Sequence, residues 1–423
     1  MSAKPSVPFY LNVWSSGAPG GRKASAATTT VRARGFTVTQ ADGSVLEDWG
    51  GQYFVNNIGT GRSEVARALA AQSRRMSWVS PTDFTDVRLE LTRDLLAILP
   101  AGLGVPHYTV GGSDAMEAAL RMARKVTGRT RVLTFRQSYH GDTMTIENIC
   151  GGPLMPYGDR RPWAVKTPSP YDLWEKSGRD WTVAADATLE RLEATLVRRG
   201  PRTFAAIFVE PVMGTGGAVP LTPDLARGMR ALCNRHGIKL VADEVVTGFG
   251  RTGRWFGSET VGLRPDALVC AKGFTGGYAP LGAVIFERGW GEVLRRTGLN
   301  HGLTFAGHPV GCAAARATLR ILRREGLVDR AAAVGAEFKR RLEDLRAAHP
   351  DRILDVRGHG LLLGVQFDTA ERVAAIAAAA LRRGVRLLPS TDGRALLFCP
   401  PFTVTRAPID RLLGLLDRLI AAV

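Results

Sequence analysis

Two periodicities alternate along the chain. In SEVARALAAQSRR, residues 63–75, apolar side chains recur at helical spacing behind Ser63, read as a cap, with Glu64 in the first turn. A second amphipathic helix is predicted from Asp86 to Leu99. Before them, VRARGFTVTQADGSVLEDW alternates around Asp42-Gly43, a hairpin signal. Residues 1–30, rich in Ser, Ala, Gly and Thr, read as an arm that needs a neighbour to pin it.

Between about residues 105 and 290, short apolar runs alternate with helical ones. RVLTF comes first, FAAIFVEPV follows a helix near 185–199, KLVADEV follows one near 223–236, and DALVCAK comes last. That alternation predicts a mainly parallel sheet wrapped by helices, with ligands just beyond the strand ends. From His308 a long helix, another near 328–348, LLLGVQF, a helix near 369–383, LLFCPPF and a closing helix predict a compact α+β unit. The expected division is residues 1–60 as arm and part of a small domain, 61–307 as a large α/β domain, and 308–423 as the rest of the small domain.

Length agrees with more than one core, since 423 residues at 45% apolar and 22% charged exceed what one core usually organises. No run approaches the eighteen or so apolar residues of a membrane span, and the N-terminus lacks a basic head followed by a long apolar stretch. A cytoplasmic location is therefore expected. The five cysteines are far apart and form no C-x-x-C pair, which argues against a disulfide framework or zinc ribbon. The net charge of +17 rests on 48 arginines against 8 lysines. Such a field favours anionic partners, but the basic residues are scattered, as in Arg316, Arg320, Arg323 and Arg324, with no block or aromatic motif suited to nucleic acid.

Five stretches carry candidate chemistry. Gly111, Gly112, Ser113 and Asp114 immediately precede a helix, whose N-terminus is a cradle for phosphate or, alternatively, an ordinary capped start. TFRQSYHGDT brings Tyr139 and His140 to a strand end, where a flat ring could stack; with no metal-spaced partner near His140, no metal site is expected. IFVEPV and KLVADEV run from apolar strands into Glu210 and into Asp243 with Glu244. A carboxylate there could hold a heteroaromatic nitrogen protonated, as a pyridoxal cofactor requires; structural pairing with Arg251 or Arg254 is the alternative. Finally, DALVCAKGFTGG places Lys272 just beyond a strand, as a desolvated amine able to form a Schiff base or as a lysine reaching for solvent.

Taken in order, SYHGDT, VEPV-x-G-x-GG, ADEV-x-TGFGRTG-x-WF, AKG-x-TGGYAPLGA, TFAGHP and DVRG-x-GLLLGV resemble the class III aminotransferases. These are fold-type-I pyridoxal-phosphate enzymes acting on ω-amines and ω-amino acids. The resemblance runs from about residue 35 to the C-terminus. It implies a large domain with a mainly parallel, seven-stranded type of sheet between helices, plus a smaller α+β domain. It also implies that Lys272 carries the Schiff base and moves the proton, that Asp243 pairs with the pyridine nitrogen, and that Gly112 and Ser113 bind the phosphate. Tyr139 would stack on the ring, with His140 beside it, Val245 beneath it and Glu210 stiffening the surroundings. Thr304 would reach the phosphate of a neighbouring subunit, which implies a homodimer or a dimer of dimers with shared sites.

Departures bear on substrate. Asp114 stands where the family usually has Glu, Met116 where a small polar residue is commoner, and Thr215 where ornithine and γ-aminobutyrate aminotransferases carry Glu. The position of a mobile substrate-binding arginine falls on Leu388, leaving Arg386 or Arg394, with Tyr53, as candidate substrate contacts. The reaction expected is transfer of an amino group from an ω-amine, ω-amino acid or amino acid to an oxo acid or aldehyde. The alternatives are a relative repurposed for decarboxylation, epimerisation, replacement or carbon–carbon bond formation, on a nucleotide-like or carrier-bound anion, and a cofactor-free basic scaffold.

Overall fold

The computed structural model describes Ser25 and residues 28–151 and 161–423. Most of the expected N-terminal arm lies outside them. A seven-stranded sheet runs through the centre in the order Leu103–Thr109, Gly282–Glu287, Ala267–Cys270, Lys239–Asp243, Phe204–Val209, Arg131–Phe135, Ala164–Thr167. The last five of these are mutually parallel, and Gly282–Glu287 is antiparallel to both its neighbours. Every residue of Phe204–Val209 is buried, because helices cover both faces. On one face lies the helix Gly112–Thr127, whose Ala115, Ala118, Ala119 and Ala123 allow close approach to the strands; Trp181–Arg199 and Pro223–His236 cover the other.

The predicted strands 131–135, 239–243 and 267–270 and the helix at 223–236 are present. Three other sheet strands escaped the pattern. They are Gly282–Glu287, the four-residue Ala164–Thr167, and Leu103–Thr109, which contains Pro106, tolerated here because the strand lies at the sheet's edge. The first predicted helix spans Ser63–Arg75, but Ser63 is its first helical residue and Arg62 holds the cap position without a side-chain bond. The second ends at Leu96 rather than Leu99.

A second sheet is built from both ends of the chain. Thr37–Gln40 and Val45–Asp48 form the expected hairpin, Thr30–Arg34 extends it to three antiparallel strands, and Val385–Arg386 adds in parallel beside Val45–Asp48. A third contains Ile353–His359, Leu362–Phe367, Ala395–Phe398 and Leu388–Pro389, backed by the helices Leu327–Ala348 and Arg406–Ala422. The scattered arginines have local partners: Arg316 meets Asp94 at 2.8 Å and also Glu90, and Arg324 meets Glu64 at 2.7 Å. Exposed pairs like these contribute little individually.

Arg251 joins the layers. Its side chain is fully buried, and Nη1 donates to the carbonyls of Leu361 (3.0 Å) and Pro400 (2.7 Å). Nη2 donates to the carbonyl of Asn56 (3.2 Å) and to Asn57 Oδ1 (2.6 Å). Its acceptors are thus neutral oxygens, not the carboxylates Glu210, Asp243 or Glu244. Burial lowers its pKa to about 10, so it stays charged at neutral pH. Arg251→Met removes four charge-assisted bonds and strands their acceptors. It is expected to lower stability by roughly 3 kcal/mol or more, read as a drop in apparent Tm; an unchanged melt would show that these bonds do not join the layers.

Candidate active site

The sheet register brings the acidic groups together. Val209 pairs with Ala242 and Asp243 with Val269, so Glu210 and Asp243 leave adjacent strands at one level. Each carboxylate is satisfied locally, as burial demands. Asp243 Oδ2 lies 2.8 Å from His140 Nδ1, and Oδ1 accepts the Val245 N–H at 3.0 Å. His140 Nε2 lies 3.0 Å from Thr134 Oγ1, which fixes the ring plane and suits the tautomer with the Nδ1 proton facing Asp243. Glu210 accepts the N–H groups of Tyr139 (3.0 Å) and Gly214 (2.8 Å). Burial is the largest influence on it and Asp243 adds to that, raising its pKa to about 7 against the pull of His140. Glu244 points elsewhere, accepting the N–H groups of Gly257 and Ser258 at the start of a short helix.

These groups face a cavity of about 620 Å³, also lined by Gly112, Ser113, Tyr139, Val245, Thr215, Phe54, Tyr53 and Lys272. Lys272 follows the strand Ala267–Cys270 with φ at +43°, an uncommon value for a residue with a side chain. Its side chain is packed round by protein yet keeps surface toward the cavity, and Nζ sits 5.2 Å from the centroid of the Phe54 ring. Desolvation lowers its pKa, with Asp243 and Glu210 opposing. Only glycine fits next, because a Cβ on Gly273 would strike the Asn57 amide that Arg251 holds.

Also lining the cavity, the helix Gly112–Thr127 begins at Gly111 with no side-chain cap. Its first N–H groups and the positive end of its dipole suit an anion. A Cβ on Gly112 would press on Val245 at 3.2 Å, and one on Gly141 would lie 2.6 Å from Ser113 Oγ, so both glycines permit close packing here. Ser113 Oγ accepts the Asp142 N–H at 3.2 Å. Asp114 lies in the first turn, and Met116 is core. An anion cradle, a buried carboxylate and an enclosed amine lining one cavity suit the phosphate, ring nitrogen and aldehyde of pyridoxal phosphate.

Other expected residues lie elsewhere. Arg386 is 3.6 Å from Asp48, and Arg394 donates to Glu175 at 3.0 Å and to the Asp368 carbonyl. Neither lines the cavity, because each is drawn to a partner outside it. Leu388 packs with Phe54 and Leu397. Thr304 is exposed on a loop whose carbonyl accepts from Trp78 Nε1 at 3.1 Å. Among the described residues no three His, Cys, Asp or Glu side chains converge as metal ligands.

Tyr53, a candidate from the sequence, lines the cavity, whereas Phe54 beside it and the backbone hand of both were not foreseen. Gly51, Gln52, Tyr53 and Phe54 have φ of 60, 54, 56 and 70°, a complete left-handed turn. For non-glycine residues this costs about 1–2 kcal/mol each. The only sequence signal is Gly50-Gly51, which marks a turn without giving its hand.

The profile of the family described as Aminotransferase class-III matches residues 20–420. The diaminobutyrate–2-oxoglutarate transaminase of Halomonas elongata is 33% identical over 92% of this chain and 88% of its own. The 5-aminovalerate aminotransferase of Pseudomonas putida is 34% identical over 92% of this chain and 93% of its own. Among solved structures, the PLP-bound amine transaminase of an uncultivated Pseudomonas species superimposes with a TM-score of 0.90 at 32% identity, covering 99% of both chains. Sheet, strand-end cavity and neighbours together define a fold-type-I, pyridoxal-phosphate-dependent enzyme. The chain belongs to the class III aminotransferases and performs amino transfer with that cofactor.

The lowered pKa of Lys272 has a testable sign. At a given pH more of its amine is neutral than for an ordinary lysine near 10.5. In cofactor-free protein its reductive methylation by formaldehyde, followed by peptide mass spectrometry, should rise with pH through a midpoint below 10.5. Asp243→Asn should lower that midpoint further, since Asp243 raises it; a midpoint at or above the ordinary value would contradict the desolvation argument.

Proposed function

We propose that Lys272 is the residue that bonds to the cofactor and carries the proton, in the exchange of an amino group between a primary amine donor and an oxo acid or aldehyde. The donor is an ω-amine, ω-amino acid or amino acid. The observation that carries this reading is the enclosure of Lys272 in one cavity with Asp243 and the uncapped helix start. When bound, pyridoxal phosphate supplies an electron sink for the carbon that loses its proton.

The chain's own groups divide the remaining work. The Gly112–Ser113 turn would hold the phosphate, Tyr139 and Val245 would contact the ring, and Asp243, oriented by His140, would keep the ring nitrogen protonated. Lys272 Nζ, its basicity reduced by desolvation, would be the group that takes the proton from the donor carbon and holds it for return. Glu210 fixes the backbone of Tyr139 and of the turn at Gly214.

We also infer a homodimer with shared sites. Its support is the loop bearing Thr304, exposed beside Trp78, Phe84 and Phe305, which are 43%, 88% and 55% exposed. Arg88 holds this surface by donating to the carbonyls of Gly307 and Asp83. The division into residues 1–60, 61–307 and 308–423 is supported by Val385–Arg386, which completes the N-terminal sheet. Five buried free thiols suit a reducing compartment, in keeping with the cytoplasm.

Each amine or amino acid in a panel, added alone to the purified holoenzyme, tests the reaction. Conversion of the lysine-bound cofactor band to the amine form names the donor, whereas a shifted band without conversion for every amine would count against amino transfer. Lys272→Ala should cut turnover by about 10⁴-fold or more, and Asp243→Asn by about 10²–10³-fold with an unchanged far-UV spectrum; full activity in either removes that residue from its role. Phe84→Glu combined with Phe305→Glu should yield monomers in sedimentation velocity, and a retained dimer would place the interface elsewhere.

A further inference from the structure

The left-handed turn at residues 51–54 is the most strained backbone at the cavity. Gln52 and Tyr53 sit at φ/ψ of 54/53° and 56/47°, close to an ideal left-handed helix. Phe54 N–H bonds the Gly50 carbonyl at 3.1 Å and closes the turn. Glycine at 52, 53 and 54 would remove the steric cost. The chain instead has side chains there, and two of them, Tyr53 and Phe54, line the cavity. Strain of this kind persists only where surrounding bonds over-determine it.

Those bonds lie at both ends of the turn. At its exit, Arg251 holds the Asn56 carbonyl and the Asn57 amide. Gly51 is pressed so closely on the Cys399 carbonyl that no Cβ fits, and Cys399 N–H bonds the Trp49 carbonyl at 2.7 Å. At the entry stands Asp48, 4% exposed, whose Oδ1 accepts the Gly50 N–H at 2.9 Å and whose Oδ2 accepts from Gln52 Nε2 at 2.7 Å. Arg386 approaches the same Oδ2 at 3.6 Å. A carboxylate is costly to bury. Among the described residues this one touches no catalytic candidate; one of its two short bonds goes to Gly50, which leads into the left-handed turn, and the other to Gln52 within it.

We propose that Asp48 is a positioning residue for amino transfer. It staples the left-handed turn that holds the Phe54 ring beneath Lys272 Nζ and Tyr53 at the cavity mouth, and so sets which amine substituents fit beside the reacting carbon. The proposal rests on the reading of Lys272 given above. Arg386 thereby acts through Asp48, not by binding a substrate carboxylate. If the staple is released, residues 52–54 relax toward negative φ. The aromatic wall then swings away from Lys272, while Lys272, Asp243 and the phosphate turn keep their own partners.

The test compares wild type with Asp48→Ala, Asp48→Asn and Gln52→Ala, each as holoenzyme, using propan-2-amine and 1-phenylethylamine as donors and pyruvate as acceptor. In Asp48→Ala the ratio of kcat/KM for the two donors should change by about tenfold, mainly through KM. Asp48→Asn should restore most of that ratio, because the Asn amide oxygen still accepts the Gly50 N–H. Gln52→Ala, which removes one arm of the staple, should move the ratio the same way by less; it carries the test if Asp48→Ala does not fold. The crystal structure of a folded variant, Asp48→Ala or Gln52→Ala, should show φ at residues 52–54 shifted from positive values.

An unchanged donor ratio in a folded variant, or a turn that stays left-handed without its staple, overturns the proposal. If wild type converts neither donor nor any other amine, the amino-transfer reading of Lys272 fails instead. The φ values of the variant then decide the role of Asp48 in holding the turn.

Discussion

An amine that must be both enclosed and reactive is the constraint around which this structure is arranged. Desolvation lowers the basicity of Lys272, and the neighbouring carboxylates limit that shift. The enclosure depends on long-range packing. Lys272 bends the backbone to positive φ, Gly273 gives way to Asn57, Arg251 holds Asn57, and Phe54 closes the space beneath Nζ. These residues come from the N-terminal segment, the loop after Asp243 and the strand end before Lys272. The lysine environment is therefore a product of tertiary structure, although the lysine itself is prominent in the sequence.

The carboxylates show how a buried charge near a cofactor site is kept available. Pairing Asp243 or Glu210 with an arginine would satisfy it while committing it to that partner. Instead Glu210 is satisfied by two backbone N–H groups, and Asp243 by one N–H and a histidine. Such neutral or switchable donors offset desolvation without a fixed counter-charge. Among the described residues, the fully buried guanidinium of Arg251 is turned on carbonyls and the Asn57 amide oxygen instead. Opposite charges are thus kept apart at the strand ends and left for a bound group to answer.

How much of this was legible in the sequence follows from where each feature gets its energy. Strands buried on both faces, such as 131–135 and 239–243, are short apolar runs, so the sheet and the place of Asp243 and Glu210 at strand ends could be anticipated. The motifs that raised the class III resemblance lie on the same strand ends, which is why Lys272, Asp243, Tyr139, His140 and Gly112 were foreseen and do meet in one cavity. The strand Leu103–Thr109 was hidden by Pro106, whose cost vanishes only at a sheet edge, a property of the assembled sheet. Arg386 and Arg394 were foreseen as substrate contacts because an arginine in sequence carries no sign of its partner; Asp48 and Glu175 lie hundreds of residues away.

The same distinction explains why substrate is harder to read than cofactor. A parallel sheet delivers cofactor groups in sequence order at the ends of successive strands, so a few contiguous motifs encode them. The near side of the cavity is formed by the turn at residues 51–54, whose hand is imposed from outside by Asp48 before it, Cys399 against it and Arg251 behind it. Local propensity opposes that hand at Gln52, Tyr53 and Phe54, so a reading of the sequence alone assigns them the wrong conformation or none. Where local preference and tertiary demand conflict, the conflict itself marks a place at which the fold is spent on shape rather than stability. In this chain that place is the wall against which an amine substituent must fit.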